Sequence, residues 1–187
     1  MPKAVTAIVL LHHIMTEEEW TWYAASEDRE YCEADDHLGE LCEKIKSNLI
    51  FEGYDTELVK YPGRSGLQFR FVAQAAGLGT IGINAFLFRP NWGPWVHLRV
   101  MATTAKLNIH PQFSGNEMCD RCGLCVSECP ANAISDRGFE GLRCRSYREA
   151  IGEYKPYGPD RRYRYCIICA LVCPKGQQPL PRGNISA

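Results

Sequence analysis

Eight of the ten cysteines fall between residues 119 and 173, seven of them in two runs. Cys119, Cys122, Cys125 and Cys129 are spaced 2-2-3 and followed by Pro130. Cys166, Cys169 and Cys173 repeat the end of that run and are followed by Pro174, and Cys144 lies 22 residues ahead of them. Thiolates in such density are soft metal ligands, suited to zinc or to iron–sulfur clusters. Zinc usually takes separated C-x2-C pairs around one tetrahedral ion. A 2-2-3 run closed by proline is instead the spacing that wraps a 4Fe–4S cubane and sends its fourth thiolate to a neighbouring cluster. Disulfides belong to oxidising compartments, and the sequence reads as carrying no export signal.

By the crossed ligation of two-cluster ferredoxins, Cys119, Cys122, Cys125 and Cys173 are expected to hold one cluster. Cys129, Cys144, Cys166 and Cys169 are expected to hold the other. Cys32 and Cys42 remain. Cys42 reads as a small buried side chain on a helix face. Cys32 lies among acidic residues, which raise a thiol pKa and argue against a reactive role. Arg143, Arg145, Arg148, Arg161, Arg162 and Arg164 flank the cysteines. They read as a basic face that is solvated, screens the clusters, docks an acidic partner or touches phosphate.

The elements that must position these groups read as follows. Val5–Leu11 is a continuous apolar run and predicts a central strand. Thr16-x-x-Glu19 has capping-box form and predicts a helix start. Asp35 or Asp36 is expected to cap a second helix, with Leu38, Leu41, Cys42, Ile45 and Leu49 on one face and Gly53 at its end. Asp55–Tyr61 then reads as a strand closed by Pro62-Gly63, which makes a βαβ-like order and an α/β layer. Gly66–Ala76 predicts a short helix. Ala85–Phe88 and Val96–Met101 predict strands around the turn Asn91-Trp92-Gly93-Pro94. In the second of these, Val96, Leu98 and Val100 alternate with His97, Arg99 and Met101. The fold class expected is α+β or α/β: an α/β domain over residues 1–110, then a ferredoxin-like two-cluster domain over 111–187 ending in a strap.

The formal charge of −1 averages two different parts. Residues 1–118 carry 10 basic and 15 acidic side chains, a net −5, and residues 119–187 a net +4. The near-zero total argues against nucleic acid as a partner. No run approaches the ~20 apolar residues of a membrane span. A cytoplasmic protein with no membrane partner is therefore expected.

Gly77-Leu78-Gly79-Thr80-Ile81-Gly82 matches G-x-G-x-x-G, but the dinucleotide fingerprint needs a strand before it, a helix after it and an acidic residue ~20 positions on. None of the three is present, so a nicotinamide cofactor is not expected. The glycines read instead as sites of close backbone approach to a flat ligand or to a neighbouring element.

Taken together, Ala76-Gly77-Leu78-Gly79-x-x-Gly82-x-Asn84-x-x-Leu87, Trp92-Gly93-Pro94, the Arg99 strand and the cysteine runs resemble the epoxyqueuosine reductase and reductive dehalogenase superfamily. Arg143-Cys144-x-Ser146-Tyr147 and Tyr165-Cys166-x-x-Cys169-x-Leu171-Val172-Cys173-Pro174 continue the resemblance, which starts at about residue 36. The resemblance implies a cobalamin-binding-type α/β domain feeding on a two-cluster module, with Gly77, Gly79, Gly82 and Asn84 near the corrinoid or packing the modules together. The sequence departs from the pattern where the family's acidic proton donor belongs, because Lys60-Tyr61-Pro62-Gly63-Arg64-Ser65 stands there. It also departs in having neither the family's additional N-terminal portion nor the helical repeats that hold tRNA, so it resembles the superfamily's short members.

Two functions follow as expectations. The first is an iron–sulfur relay that passes low-potential electrons to a redox partner protein or to a bound corrinoid. The alternative is a cobalamin-dependent, epoxyqueuosine reductase-like enzyme acting on a small molecule, with Tyr23, Tyr54, Tyr61, His12 or His13 as the source of its proton. No catalytic residue is assigned from the sequence, and the relay with a possible corrinoid is the reading it favours.

Overall fold

The computed structural model describes residues 3–24, 30–61, 66–108, 118–153, 155–163 and 165–181. The Pro62-Gly63 turn, Arg64, Ser65, Arg164, the boundary at residues 110–111 and the end of the strap lie outside these. Their sheet has three strands in the order β1-β7-β4: β1 (Thr6–His13), β7 (Val96–Thr103) and β4 (Thr56–Leu58). β7 is antiparallel to both neighbours, with Val9 opposite Val100 and Thr56 opposite Thr103. The βαβ reading therefore needs correcting. β1 and β4 run the same way, but β7 lies between them. The apolar run expected at the centre of the sheet forms an edge among the described residues, and its side chains are mostly half-buried. β7 takes the central place because helices cover both its faces.

One cover is α1 (Glu33–Phe51), longer than the sequence suggests because it starts at Glu33. The carbonyl of Cys32 accepts from the amides of Asp35 and Asp36, and the acids of the first turn suit the positive end of the helix. Neither aspartate is the cap. Leu38 and Cys42 are buried as the apolar face requires, and the helix ends where Gly53, at φ +88°, turns the chain. The other cover is α2 (Phe69–Ala75), whose Ala73 packs with Leu87 of β6, Val96 of β7 and Val9 and Leu11 of β1. β5 (Thr80–Ile81) and β6 (Leu87–Phe88) form a hairpin beneath it. The capping box forms: Glu19 N–H donates to Thr16 Oγ1 at 3.3 Å and Thr16 N–H to Glu19 Oε2 at 3.1 Å. It opens only a 3-10 turn, Glu18–Trp20. β2 (Tyr23–Ala24) and β3 (Glu30–Tyr31) then pair before α1.

The cysteine-rich part holds two four-residue helices, α3 (Leu124–Ser127) and α5 (Ile168–Leu171), packed on one another. Between them lie the hairpin of β8 (Ile134–Ser135) and β9 (Gly138–Phe139) and then α4 (Gly141–Ala150). This part shares a core with the sheet layer, since Ala170 of α5 packs with Ile14, Cys32, Ala34 and Trp95. The strap is extended, with Leu180 N–H bonded to the Met15 carbonyl and Glu17 N–H to the Leu180 carbonyl.

Gly93, at φ +62°, sits on the loop behind Cys173, and a Cβ there would overlap the carbonyl of Lys175. Gly93→Ala is expected to cost about 1–3 kcal/mol from overpacking, with a further strain for a side chain at positive φ. A urea midpoint unchanged from the wild type would show that the two backbones can part freely.

Candidate iron–sulfur centre

Each thiol is positioned by a short local device. Cys125 and Cys169 ride on α3 and α5 as the middle members of matching C-x2-C-x3-C-P runs. Gly123, at φ +85°, turns the chain from Cys122 into α3. Cys144 lies on α4. The fields among the thiols sort them. Cys125 is held up to about 11 by burial and then by Cys119, Cys122 and Cys173, and Cys173 is raised by burial with Cys119 and Cys122 close by. Cys144 is raised by burial, against Arg148, with Cys166 and Cys129 adding to the rise. Cys169 is pushed up to about 12 by burial, then by Cys166, Cys144, Cys125 and Cys129. Cys125 also acts on Cys169, as thiols on the two packed helices α3 and α5 would. The Ala133 amide donates to Cys129 Sγ at 3.3 Å, a bond of the kind that tunes a ligating sulfur.

Four of the flanking arginines are paired with acids. Arg143 pairs with Glu140, Arg145 with Glu149, Arg162 with Asp160, and Arg148 with the buried Glu153 while lying over the Tyr165 ring. Neither Cys32, buried and pushed up to about 12, nor Cys42 joins the thiol groups. For Cys32, burial leads the rise, and the acids foreseen from sequence add to it.

The glycine motif packs against protein. A Cβ on Gly79 would overlap the Phe88 carbonyl and one on Gly82 the Phe88 ring, while Gly77 closes α2 with its amide on the Gln74 carbonyl. Asn84, buried, donates to the Cys169 carbonyl at 3.1 Å and so ties the motif to the second thiol group. These four residues are spent on the hairpin and on the module junction, and as they stand they do not fit a corrinoid cradle.

Sequence reasoning missed two features. One is a buried network of Asp35, Tyr61, His97 and Arg99. Tyr61 Oη donates to Asp35 Oδ1 and lies 2.9 Å from His97 Nε2, His97 Nε2 is 3.0 Å from Asp35 Oδ1, and Arg99 lies 2.5 Å from Asp35 Oδ2 and over the Tyr61 ring. Burial pushes Asp35 up, but the bonds from His97, Tyr61 and Arg99 outweigh it and hold the carboxyl below its ordinary value. Tyr61 is driven far up by burial and by Asp35, so it stays protonated. Of the proton sources named from sequence, it alone belongs to this network. Tyr23 bonds Glu18, Tyr54 is exposed, His12 pairs with Glu19, and His13 stacks on Trp92. The other feature is a cavity of about 440 Å³ between the aromatic segment Trp20–Trp22 and the Cys166–Cys169 loop. Its aromatics are scattered from residue 20 to 165, so no local spacing announces it.

An α/β layer that shares its core with a module of eight cysteines is the frame of an iron–sulfur protein. Residues 118–176 match the family model of the 4Fe–4S double cluster binding domain. Epoxyqueuosine reductase of Staphylococcus aureus is 32% identical over 132 residues, which are 66% of this chain and 33% of that protein. That of a Synechococcus strain is 30% identical over 119 residues, 60% of this chain and 36% of that one. The solved epoxyqueuosine reductase bound to an epoxyqueuosine-modified tRNA-Tyr stem loop matches with a TM-score of 0.68 at 23% identity, over 93% of this chain and 49% of that one. A catabolic reductive dehalogenase matches with a TM-score of 0.58 at 20% identity, over 76% of this chain and 23% of that one. The chain belongs to the epoxyqueuosine reductase and reductive dehalogenase superfamily. It spans about a third of the length of the curated relatives it matches.

The expectation that nucleic acid is no partner is overturned, because a relative of this fold is solved with a tRNA stem loop in place. Total charge misled, since it averages an acidic and a basic part and recognition depends on the local surface. Among the described residues no helix is long and apolar enough to cross a membrane.

Proposed function

We propose that the chain is an iron–sulfur reductase of the epoxyqueuosine reductase type, and that the observation carrying this is the match of residues 118–176 to the 4Fe–4S double cluster binding domain in a chain 32% identical over 132 residues to the Staphylococcus aureus epoxyqueuosine reductase. Cys119, Cys122, Cys125 and Cys173 would hold one 4Fe–4S cluster, and Cys129, Cys144, Cys166 and Cys169 the other. Bound there, the clusters would supply single electrons at low potential. The residues themselves do the rest. Asn84 fixes the Cys169 loop, the Ala133 amide holds the Cys129 sulfur, and Arg148 with Glu153 anchors α4 and its Cys144. Tyr61, in the segment where the family carries an acid, is held protonated by burial and by its bond to Asp35, which makes it a positioning group for that carboxylate and a poor proton donor.

Relatives named as reductases favour this reading over a relay that only hands electrons to another protein. They also make tRNA the first substrate to try. The test is anaerobic purification with cobalamin supplied, analysis of iron, sulfide and cobalt, and then incubation of an epoxyqueuosine-modified tRNA-Tyr stem loop with a low-potential reductant. Roughly eight irons per chain and conversion of the stem loop are expected. Eight irons without conversion would return the chain to the relay reading. Iron near zero would end both.

A further inference from the structure

Arg70 of α2, Arg121 between Cys119 and Cys122, and Arg137 at the turn of the β8–β9 hairpin line one groove of about 330 Å³. They come from three separate segments, and among the described residues none of them has a carboxylate partner. The arginines nearer Cys144 and Cys166, by contrast, pair with Glu140, Glu149, Glu153 and Asp160. Burial lowers the pKa of Arg70, and no acid acts against that fall. Asp136 also lines the groove and offsets one charge of the three. The Arg70 guanidinium lies 5.2 Å from the ring centre of Phe71, which lines the same groove and is 54% exposed. Arginine and exposed aromatic rings are the residues enriched where proteins meet. Ile83 joins this groove to the first group of thiols, since it lines both the groove and the small space bounded by Cys119, Cys122, Cys125 and Cys173. Cys122 is itself exposed.

We infer that this groove docks a small one-electron carrier protein with an acidic face, bringing the carrier's cofactor to the first four thiols. Carboxylates around that cofactor would meet the guanidiniums and steer the encounter, and Phe71 would supply apolar contact beside them. Phosphate would meet the charge as well, but only an electron carrier has reason to lie against Cys122. The second group of thiols lies toward the aromatic cavity, where Tyr165 and Ile167 flank Cys166, so the first is the one left to face a carrier. The step moves one electron: the carrier is oxidised by one and the first cluster reduced by one, with no bond made or broken. The inference rests on the cluster ligation proposed above and not on the substrate.

The experiment is anaerobic stopped-flow mixing of the full, cluster-loaded chain with reduced plant-type ferredoxin, a carrier with an acidic surface, over a series of salt concentrations. The second-order rate of cluster reduction is expected to fall as salt rises, because salt screens exposed charges. Arg121→Glu and Arg137→Glu, both exposed, are each expected to slow it about tenfold at low salt and to approach the wild type at high salt. Their iron content and their reduction by dithionite stay as in the wild type. Arg137 stands seven residues from the nearest cysteine, so that variant reads the groove even if Arg121→Glu loses iron. Lys44→Glu, the same reversal on an exposed site of α1, keeps the wild-type rate. Failure of ferredoxin to reduce a chain that dithionite reduces, a rate indifferent to salt, or an Arg137→Glu chain reduced as fast as wild type would each overturn the inference. So would groove variants that lose affinity for the epoxyqueuosine-modified stem loop while ferredoxin reduces them normally, since the groove would then be a phosphate surface. A chain that takes electrons through the groove but converts no stem loop would fail the reductase reading alone.

Discussion

Cys144→Ala is expected to halve the iron content, from roughly eight to roughly four per chain, while leaving one cluster's signal in place. Cys144 is the ligand that no run announces, since it sits 22 residues ahead of Cys166 on a helix of its own. Its thiol nonetheless lies in the fields of Cys166 and Cys129. α4 is held to the rest of the module by Arg148, paired with buried Glu153. If the crossing is right, the loss is confined to the cluster shared with Cys129, Cys166 and Cys169. Iron and sulfide analysis, with integration of the reduced protein's paramagnetic signal, reads the loss directly. The control is Cys42→Ala, fully buried on α1, which is expected to keep its iron. Unchanged iron in Cys144→Ala would refute the pairing, and loss of both clusters would show that the module folds only as a whole.

What was legible in the sequence was whatever is local. Thiol spacing within 2-2-3 runs is a local property, and so is the α1 stripe through Leu38 and Cys42. The failure of the glycine motif as a dinucleotide site was also legible, because the test asks only what precedes and follows it. What fills the motif was not, since Phe88 returns to it through a hairpin. The alternation along β7 was read correctly as a pattern, yet its meaning stayed hidden. Val96 and Leu98 face α2, as an apolar row should. His97 and Arg99 look like a solvated row, but they turn toward α1 and meet Asp35, 62 and 64 residues away. Periodicity tells how many faces a strand has, not what covers them.

β1 shows the opposite error. A continuous apolar run is the usual mark of a strand buried on both faces, yet here it borders the sheet among the described residues. Strand order depends on which distant segment pairs with which. The segment that wins the centre, β7, is the more mixed of the two in sequence. The aromatic cavity was illegible for the same reason, since its walls meet only through the shared core of Ile14, Cys32, Trp95 and Ala170.

That shared core makes the second large effect one of stability. Asp35→Asn is expected to destabilise the chain by about 3–5 kcal/mol at neutral pH, the usual cost of removing one partner of a buried ion pair. The amide keeps the shape of the side chain but leaves Arg99 buried without its counter-charge and spoils the acceptor shared by Tyr61 and His97. Removing both charges in Asp35→Asn/Arg99→Met should recover part of the loss, because the pair's net worth is far below the cost of orphaning one member. The sign of the pH dependence follows from the carboxyl. Its folded pKa is depressed, so its contribution is full above the unfolded value of about 3.9 and is lost as pH falls through the folded value. The gap between wild type and Asp35→Asn should therefore be constant above about pH 5 and close in stronger acid. Urea unfolding of both proteins across that range measures it, and a gap that is small at pH 7 or persists into strong acid would contradict an ionised Asp35.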